Sequence, residues 1–417
     1  MTRCKKVVVF GSSGAVGSCL VGIIAKNHPD WEVVGVPCSD RLGAVLDVLE
    51  DLDSMEELTS NVDMVYSCVE LPRYQRSYWA EHWPAILENL FKVTSIAKPL
   101  VFCDNLYAYG PGTNISTNSK TLLASTKTKP EIRAYLRRKF EARMILSPRS
   151  LVVIGASDLF GPDMEDSLLG ENFICKMLKG IKPSAIGRRE VMHDFCYVPD
   201  LARALYLVSV NPNAFGRFWI CPHSIHGETM EEIAEEVNKH LDEEVHGVRF
   251  ISSWMLRSMA LVSNESRELI EMLPWFVSDY TVNNGEFCDM FGVAPTRFEK
   301  SIEETVAFFK WRQLEKEKES EEEAREKKLA DDGAQKNIAT EEEDADGEDD
   351  VEQRREEESE TRMEQAVNAE DDKTSPLEDN DRRTSELKDQ HGKATSKMES
   401  GENTGQNGVQ EDNLEQN

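Results

Sequence analysis

The stretch from Lys6 to Ala25, KVVVFGSSGAVGSCLVGIIA, decides the fold. Lys6 to Phe10 is a short, unbroken apolar run rich in β-branched residues, the composition of a strand buried on both faces of a parallel sheet. The turn Gly11-Ser12-Ser13-Gly14-Ala15-Val16-Gly17 follows at once, and an apolar helical segment comes after it. Strand, glycine turn and helix in that order are what a phosphate site requires. The first glycine permits the tight turn, the second lets backbone approach a pyrophosphate, and the third allows the helix to pack close on the strand. Backbone N–H groups and the positive end of the helix then face the anion. A bare packing turn can carry the same glycines; the strand before and the helix after are what point to a dinucleotide.

Trp31 to Val36 (WEVVGV) reads as the second strand. At its tip an acid would bind the ribose diol of NAD, and a base the 2′-phosphate of NADP. Pro37-Cys38-Ser39-Asp40-Arg41 stands there instead, which makes Arg41 a candidate for the phosphate and Asp40 for a ribose. NAD or NADP both stay open, and the missing acid favours NADP. Further strands are expected at Val62–Val69, Pro99–Cys103, Leu151–Ile154 and Arg217–Ile220, with helical stretches between them. One of these is Pro84–Lys98, where the proline would open the first turn. Such alternation means βαβ units and ligands along the carboxyl edge of the strands. The expected fold class is α/β: a Rossmann-type doubly wound parallel sheet with a small, mostly helical C-terminal substrate domain and a disordered acidic tail.

The tail is read from composition. Every aromatic residue and all nine cysteines precede Gln313. Between Glu315 and Asn417 lie 36 acidic and 15 basic residues, so 21 of the 29 net negative charges sit there. Such a segment cannot bury enough apolar surface to offset chain entropy. The expected division is therefore 1–314 as a dinucleotide-binding domain with an interleaved lid, mainly 163–190 and 222–310. Residues 315–417 would be a charged helical extension running into the disordered tail, whose charge would suit a basic protein partner. In the lid, Trp254, Met255, Met259, Met272 and Trp275 would line an apolar site or simply form its core. The cysteines have no disulfide or zinc spacing, so reduced buried thiols and no metal are expected. No secretory leader or membrane-length apolar run is read, and a body this acidic does not suit nucleic acid; a cytoplasmic location away from membranes is the expectation.

Several motifs in order resemble the extended and atypical short-chain dehydrogenase/reductases, the NAD-dependent epimerase/dehydratase family, over about residues 5 to 310. GSSGAVG is similar to that group's glycine turn. Asp51-Leu52-Asp53 resembles its acidic element beside the adenine, and Cys68 ends the strand that would border the cofactor. DNLYAYGP (Asp104 to Pro111) resembles the strand end that bears the catalytic Ser/Thr. GASDLFGP (Gly155 to Pro162) is similar to the segment beside nicotinamide and substrate, and HDFCYVPDLARAL (His193 to Leu205) to the anchor of the substrate domain. GETMEEIAEEV and FGVAPTRFEKSIEET resemble its ending.

The resemblance implies a Ser/Thr, a tyrosine that moves a proton at the substrate oxygen, and a lysine four residues on that binds ribose and lowers the tyrosine pKa. The sequence departs from that set. Asn105 stands where the Ser/Thr is expected. Two registers remain for the Tyr-x-x-x-Lys pair: Tyr135 with Lys139, or Lys129 at the ribose with Ser125 in the tyrosine's place. Tyr135 and Lys139 read equally as a packed ring and a solvated amine on an amphipathic helix. Tyr107 is a third candidate acid, because a continuing strand would alternate Asn105, Tyr107 and Tyr109 onto one face at its carboxyl end; it reads equally as a buried structural residue. Tyr109, Asp158 and Phe160 are expected at the substrate, Asp200 as a helix cap, and His193 as a solvated loop residue. The implied function is NAD(P)-dependent oxidation–reduction, epimerisation or dehydration at a carbonyl or carbinol carbon of a small substrate. The alternative is a non-catalytic dinucleotide-binding regulator or sensor that has lost the tyrosine. A homodimer is expected only by analogy with the group.

Overall fold

In the computed structural model, which describes residues 4–37, 49–327 and Ser359, the opening apolar run is strand β1 (Lys6–Phe10), buried from Val7 onward. The first helix (Ala15–Asn27) follows, and then β2 (Glu32–Val36), β3 (Met64–Ser67), β4 (Leu100–Asn105) and β5 (Leu151–Ala156). The chain continues through β6 (Asp158–Phe160), β7 (Ser184–Ile186), β8 (Phe195–Tyr197), β9 (Phe218–Ile220) and β10 (Arg249–Ile251). Six strands form one sheet in the order β2-β1-β3-β4-β5-β9, and every pairing in it is parallel. The strand order reverses between β1 and β3, so the flanking connections leave to opposite faces and open a crevice at the carboxyl edge.

Alternation along each strand divides the core in two. Val8, Phe10, Val65, Phe102 and Val153 pack toward the helices Arg76–Val93 and Lys129–Leu146, where they meet Trp83, Leu136 and Phe140. Val7, Val9, Met64, Val101 and Ile154 face the other way, onto Leu20 and Ile24 of the first helix and Leu201 and Leu205 of the helix Val198–Val210. Each such buried side chain contributes roughly 1.5–3 kcal/mol, and both layers hold the carboxyl edge in register.

Two local expectations are corrected. The helix assigned to Pro84–Lys98 starts eight residues earlier, at Arg76, and ends at Val93, so Pro84 lies inside it. The polar turn RYQRSY hid a start that the burial of Trp79 and Trp83 decides. Asp200 does not cap the helix Val198–Val210, whose N-cap is Tyr197; its carboxylate accepts from Arg203, Ser224 and Thr296 instead.

A smaller lobe covers the carboxyl edge. It holds the two-stranded pairs β6–β8 and β7–β10 and the helices Met230–Asn238, Ser253–Met259, Asn264–Ile270 and Leu273–Val277. Phe160, Phe173, Phe195 and Ile233 form its core, together with Ile302 and Val306 of a terminal helix spanning 298–327. Of the bulky lid residues, Met272 and Trp275 are buried and Trp254 is exposed. From Lys316 onward the terminal helix is exposed and charged. The compact body ends at Lys327, and the tail expected beyond it lies outside the described residues. No helix among the described residues is long and apolar enough to cross a membrane.

Candidate active site

The glycine turn leaves β1 at Gly11, whose φ of +84° is open to glycine at little cost. A Cβ there would lie 2.3 Å from the carbonyl oxygen of Cys68 at the end of β3. Gly17 is as tightly held, since a Cβ on it would come within 2.0 Å of the Gly11 carbonyl oxygen. Gly14 is different. A Cβ there would meet only the Gly11 oxygen, at an ordinary 3.6 Å, so packing within the protein does not demand a glycine. Gly14 is also the N-cap of the first helix, which has no side-chain cap and no acidic residue in its first turn. Ser12, Ser13, Ala15 and Val16 complete a backbone cradle whose helix end is positive and open to an anion.

Val16 and Cys68 lie at one side of a crevice of about 330 Å³, and Glu70, Asn105, Tyr107, Arg133 and Asp158 are on its other walls. Asn105 ends β4 and accepts a 3.2 Å hydrogen bond from the Tyr107 N–H, which fixes the turn that follows. That turn is a short 3-10 segment, Tyr107–Tyr109, not a continued strand. The two tyrosines therefore point apart. Tyr109 is buried against Phe218 with the Arg137 guanidinium beside it, so it does not reach the crevice.

Tyr107 does. Its Oη donates to Asp158 Oδ1 at 2.7 Å, and Asp158 Oδ2 lies 2.7 Å from His193 Nε2. Burial, with the Asp158 carboxylate close by, pushes the Tyr107 phenol well above its ordinary range. The group keeps its proton at neutral pH. His193 is 4% exposed, boxed by Phe195, Phe276 and Tyr280, so the expectation of a solvated histidine is corrected. Beneath the crevice, Ser157 N–H donates to His223 Nε2 at 3.0 Å, and burial pulls the His223 imidazole down to about 4.

The helix Lys129–Leu146 presents arginine where the sequence offered lysine. Arg133 Nη1 donates to Asp104 Oδ1 at 2.9 Å, and its guanidinium stacks over Trp79 and Trp83. Arg133 Nε and Asp104 Oδ2 are buried and have no hydrogen-bond partner among the described residues. Lys129 begins the helix one turn earlier. Its buried ammonium turns to Glu268 at 2.6 Å and Glu271 at 3.4 Å in the smaller lobe, away from the ribose position expected for it. Ser125 is bonded to Glu131 and does not line the crevice.

Tyr135 packs partly against the core and Lys139 is exposed; neither lines the crevice, because both sit on the wrong arc of the helix. Phe160 is fully buried against Phe195 and Tyr197, a core residue with no face toward substrate. Asp51 caps the helix Leu52–Thr59 by accepting from Asp53 and Ser54, with Leu52 the first residue behind it. Arg41 lies outside the described residues. Sequence reasoning passed over Arg133 and His193. Arg133 was legible as Lys129 plus four on one helix face; nothing local marked His193 as buried.

A family model described as the NAD dependent epimerase/dehydratase family matches residues 7–220. No curated protein matches the chain. Solved structures share the fold. A dTDP-glucose 4,6-dehydratase from Bacillus anthracis in complex with NAD aligns with a TM-score of 0.58 at 14% identity, over 74% of this chain and 97% of that one. A UDP-glucuronic acid 4-epimerase from Bacillus cereus in complex with NAD gives 0.54 at 15%, over 73% and 99%. A UDP-glucose 4-epimerase with UDP-glucose from Thermotoga maritima gives 0.56 at 15%, over 74% and 99%.

Proposed function

The chain belongs to the NAD dependent epimerase/dehydratase family, and from that premise we propose that it is an NAD(P)-dependent enzyme acting at a carbonyl or carbinol carbon, with Tyr107 as the proton-transfer residue. The observation that carries this reading is the 2.7 Å bond from Tyr107 to Asp158 in a crevice that begins at the glycine turn. The cradle fits a dinucleotide: Gly14 needs no glycine for the protein's own packing, and the helix behind it is uncapped. Arg133 and Asp104 offer one unused donor and one unused acceptor, the pair a ribose diol would engage. When bound, the nicotinamide supplies or accepts a hydride, two electrons with one hydrogen nucleus.

The residues of the chain handle the proton. In the oxidative direction the carbinol O–H gives its proton to Tyr107 Oη while the phenolic proton passes to Asp158, whose charge His193 faces from the other side. Reduction is the reverse. The raised Tyr107 pKa means that no preformed phenolate does this work; the two transfers move together. Asn105 holds the turn and acts through it. A fluorescence titration with NADH and NADPH decides between NAD and NADP.

Tyr107→Phe should lower turnover by roughly 10²–10⁴-fold while leaving dinucleotide affinity within about twofold. Unchanged turnover would remove Tyr107 from the chemistry. A second reading, the non-catalytic dinucleotide sensor, draws on Lys129, which is committed to Glu268 and Glu271. Dinucleotide binding with no turnover of any ketone, alcohol or nucleotide sugar would favour it.

A further inference from the structure

Beside the crevice lies a second hollow of about 490 Å³, within the range of small-molecule sites. Ser167, Leu168, Leu269 and Phe276 wall both spaces, and His193 stands between them. The hollow is lined from several elements at once: Ile186 of β7, Ile251 of β10, Met230 at a helix start, Leu256 and Met259 of the helix Ser253–Met259, and Val191. Two cations reach it. Lys176 is 3.4 Å from Ser184 Oγ and Arg188 is exposed and donates to the Val277 carbonyl; Asp166, Asn172 and Ser266 also line the hollow.

We propose that this hollow receives the apolar body of a medium-sized ketone or secondary alcohol, so that the substrate class is an apolar carbonyl compound and not a nucleotide sugar. The inference rests on the reading of Tyr107 given above. A sugar diphosphate brings several hydroxyls and two negative phosphates. The phosphates would meet Lys176 and Arg188, which already bond Ser184 and the Val277 carbonyl, and hydroxyls set against Ile186, Val191, Ile251, Leu256 and the two methionines would lose water without gaining a partner, at roughly 1–3 kcal/mol each. An aliphatic or aromatic body gains there instead, at about 25 cal/mol for each Å² buried, and the two methionines adjust to its outline. With the body in the hollow, the polar carbon lies toward His193 and Asp158, on the path to Tyr107. The step balances with a reduced nicotinamide dinucleotide as co-reactant: the carbonyl carbon takes the hydride, the C=O π bond becomes the O–H σ bond, and Tyr107 supplies that proton. The dinucleotide is oxidised by two electrons.

The test is equilibrium binding to the full chain by saturation-transfer NMR, without dinucleotide, using 4-phenylbutan-2-one, 2-octanone, acetone and UDP-glucose as probes. Affinity should rise at least tenfold from acetone to 2-octanone, since each methylene contributes about 0.8 kcal/mol when fully buried. Met259→Glu, at an exposed position on the rim of the hollow, should weaken both larger ketones at least tenfold. UDP-glucose should not bind. Flat affinity along the ketone series, or UDP-glucose binding more tightly than the ketones, would overturn the proposal. Ketone binding in a protein that binds neither NADH nor NADPH would leave the hollow assigned and defeat the enzyme reading, so the two failures separate.

Discussion

The two sides of the crevice are built in different ways. The cradle at Gly11, Gly14 and Gly17 is backbone, and all its parts lie within seven consecutive residues. The side proposed for proton transfer is side chain throughout, and its members come from far apart: Tyr107 and Asp158 are 51 residues distant, Asp158 and His193 another 35. A site made of backbone leaves its requirements in local sequence, because only glycine meets them. A side-chain site requires only that certain atoms meet, and many placements along the chain achieve that.

The strongest break of this comparison lies within the cradle itself. Gly17→Ala forces a Cβ to 2.0 Å from a backbone oxygen and should cost about 3 kcal/mol or more, or abolish folding, as urea denaturation would measure. Gly14→Asp should fold with the wild-type midpoint and lose dinucleotide affinity by roughly 100-fold, because a carboxylate then occupies the anion's place. A destabilised Gly14→Asp protein would mean that the second glycine, too, is structural.

On the other side, acid should expose the buried floor. His223 is neutral in the fold with a pKa near 4, against about 6.5 unfolded, so the unfolded chain binds the extra proton between those values. Its contribution is complete above pH 6.5 and is lost as pH falls toward 4, on the order of 3 kcal/mol. His223→Gln should flatten that part of the stability–pH curve; a curve of unchanged slope would show that His223 does not cause it. The smallest effect is expected farthest from the crevice. Tyr135→Phe and Lys139→Ala should each change stability by less than about 0.5 kcal/mol and leave turnover as it was. A large loss of turnover in either would return the chemistry to the Tyr-x-x-x-Lys pair.

The same division explains what could be read before the structure. β1 stood in the sequence to the residue as a β-branched run, and the apolar stretch after the glycine turn marked the body of the first helix, Ala15–Asn27, though not its ends. The other sheet strands were legible as apolar runs, with ends misplaced by a few residues. Helix Arg76–Val93 was half missed because its first turns are polar and its proline looks like a start. Tyr107 and Asp158 were both marked as candidates, but their bond was not readable, and His193 was dismissed because burial of a loop histidine is decided by Phe195, Phe276 and Tyr280. The alternation that placed Tyr109 beside Tyr107 failed when the strand ended at Asn105.

The acid, the carboxylate and the imidazole stand on three segments that meet only in the fold. Recombining this gene with a relative's at any point between codons 107 and 193 would therefore draw them from two parents. On the proposed reading, a product whose parents differ at these positions should keep its sheet and its glycine cradle, pass a screen for folded protein, and lose turnover.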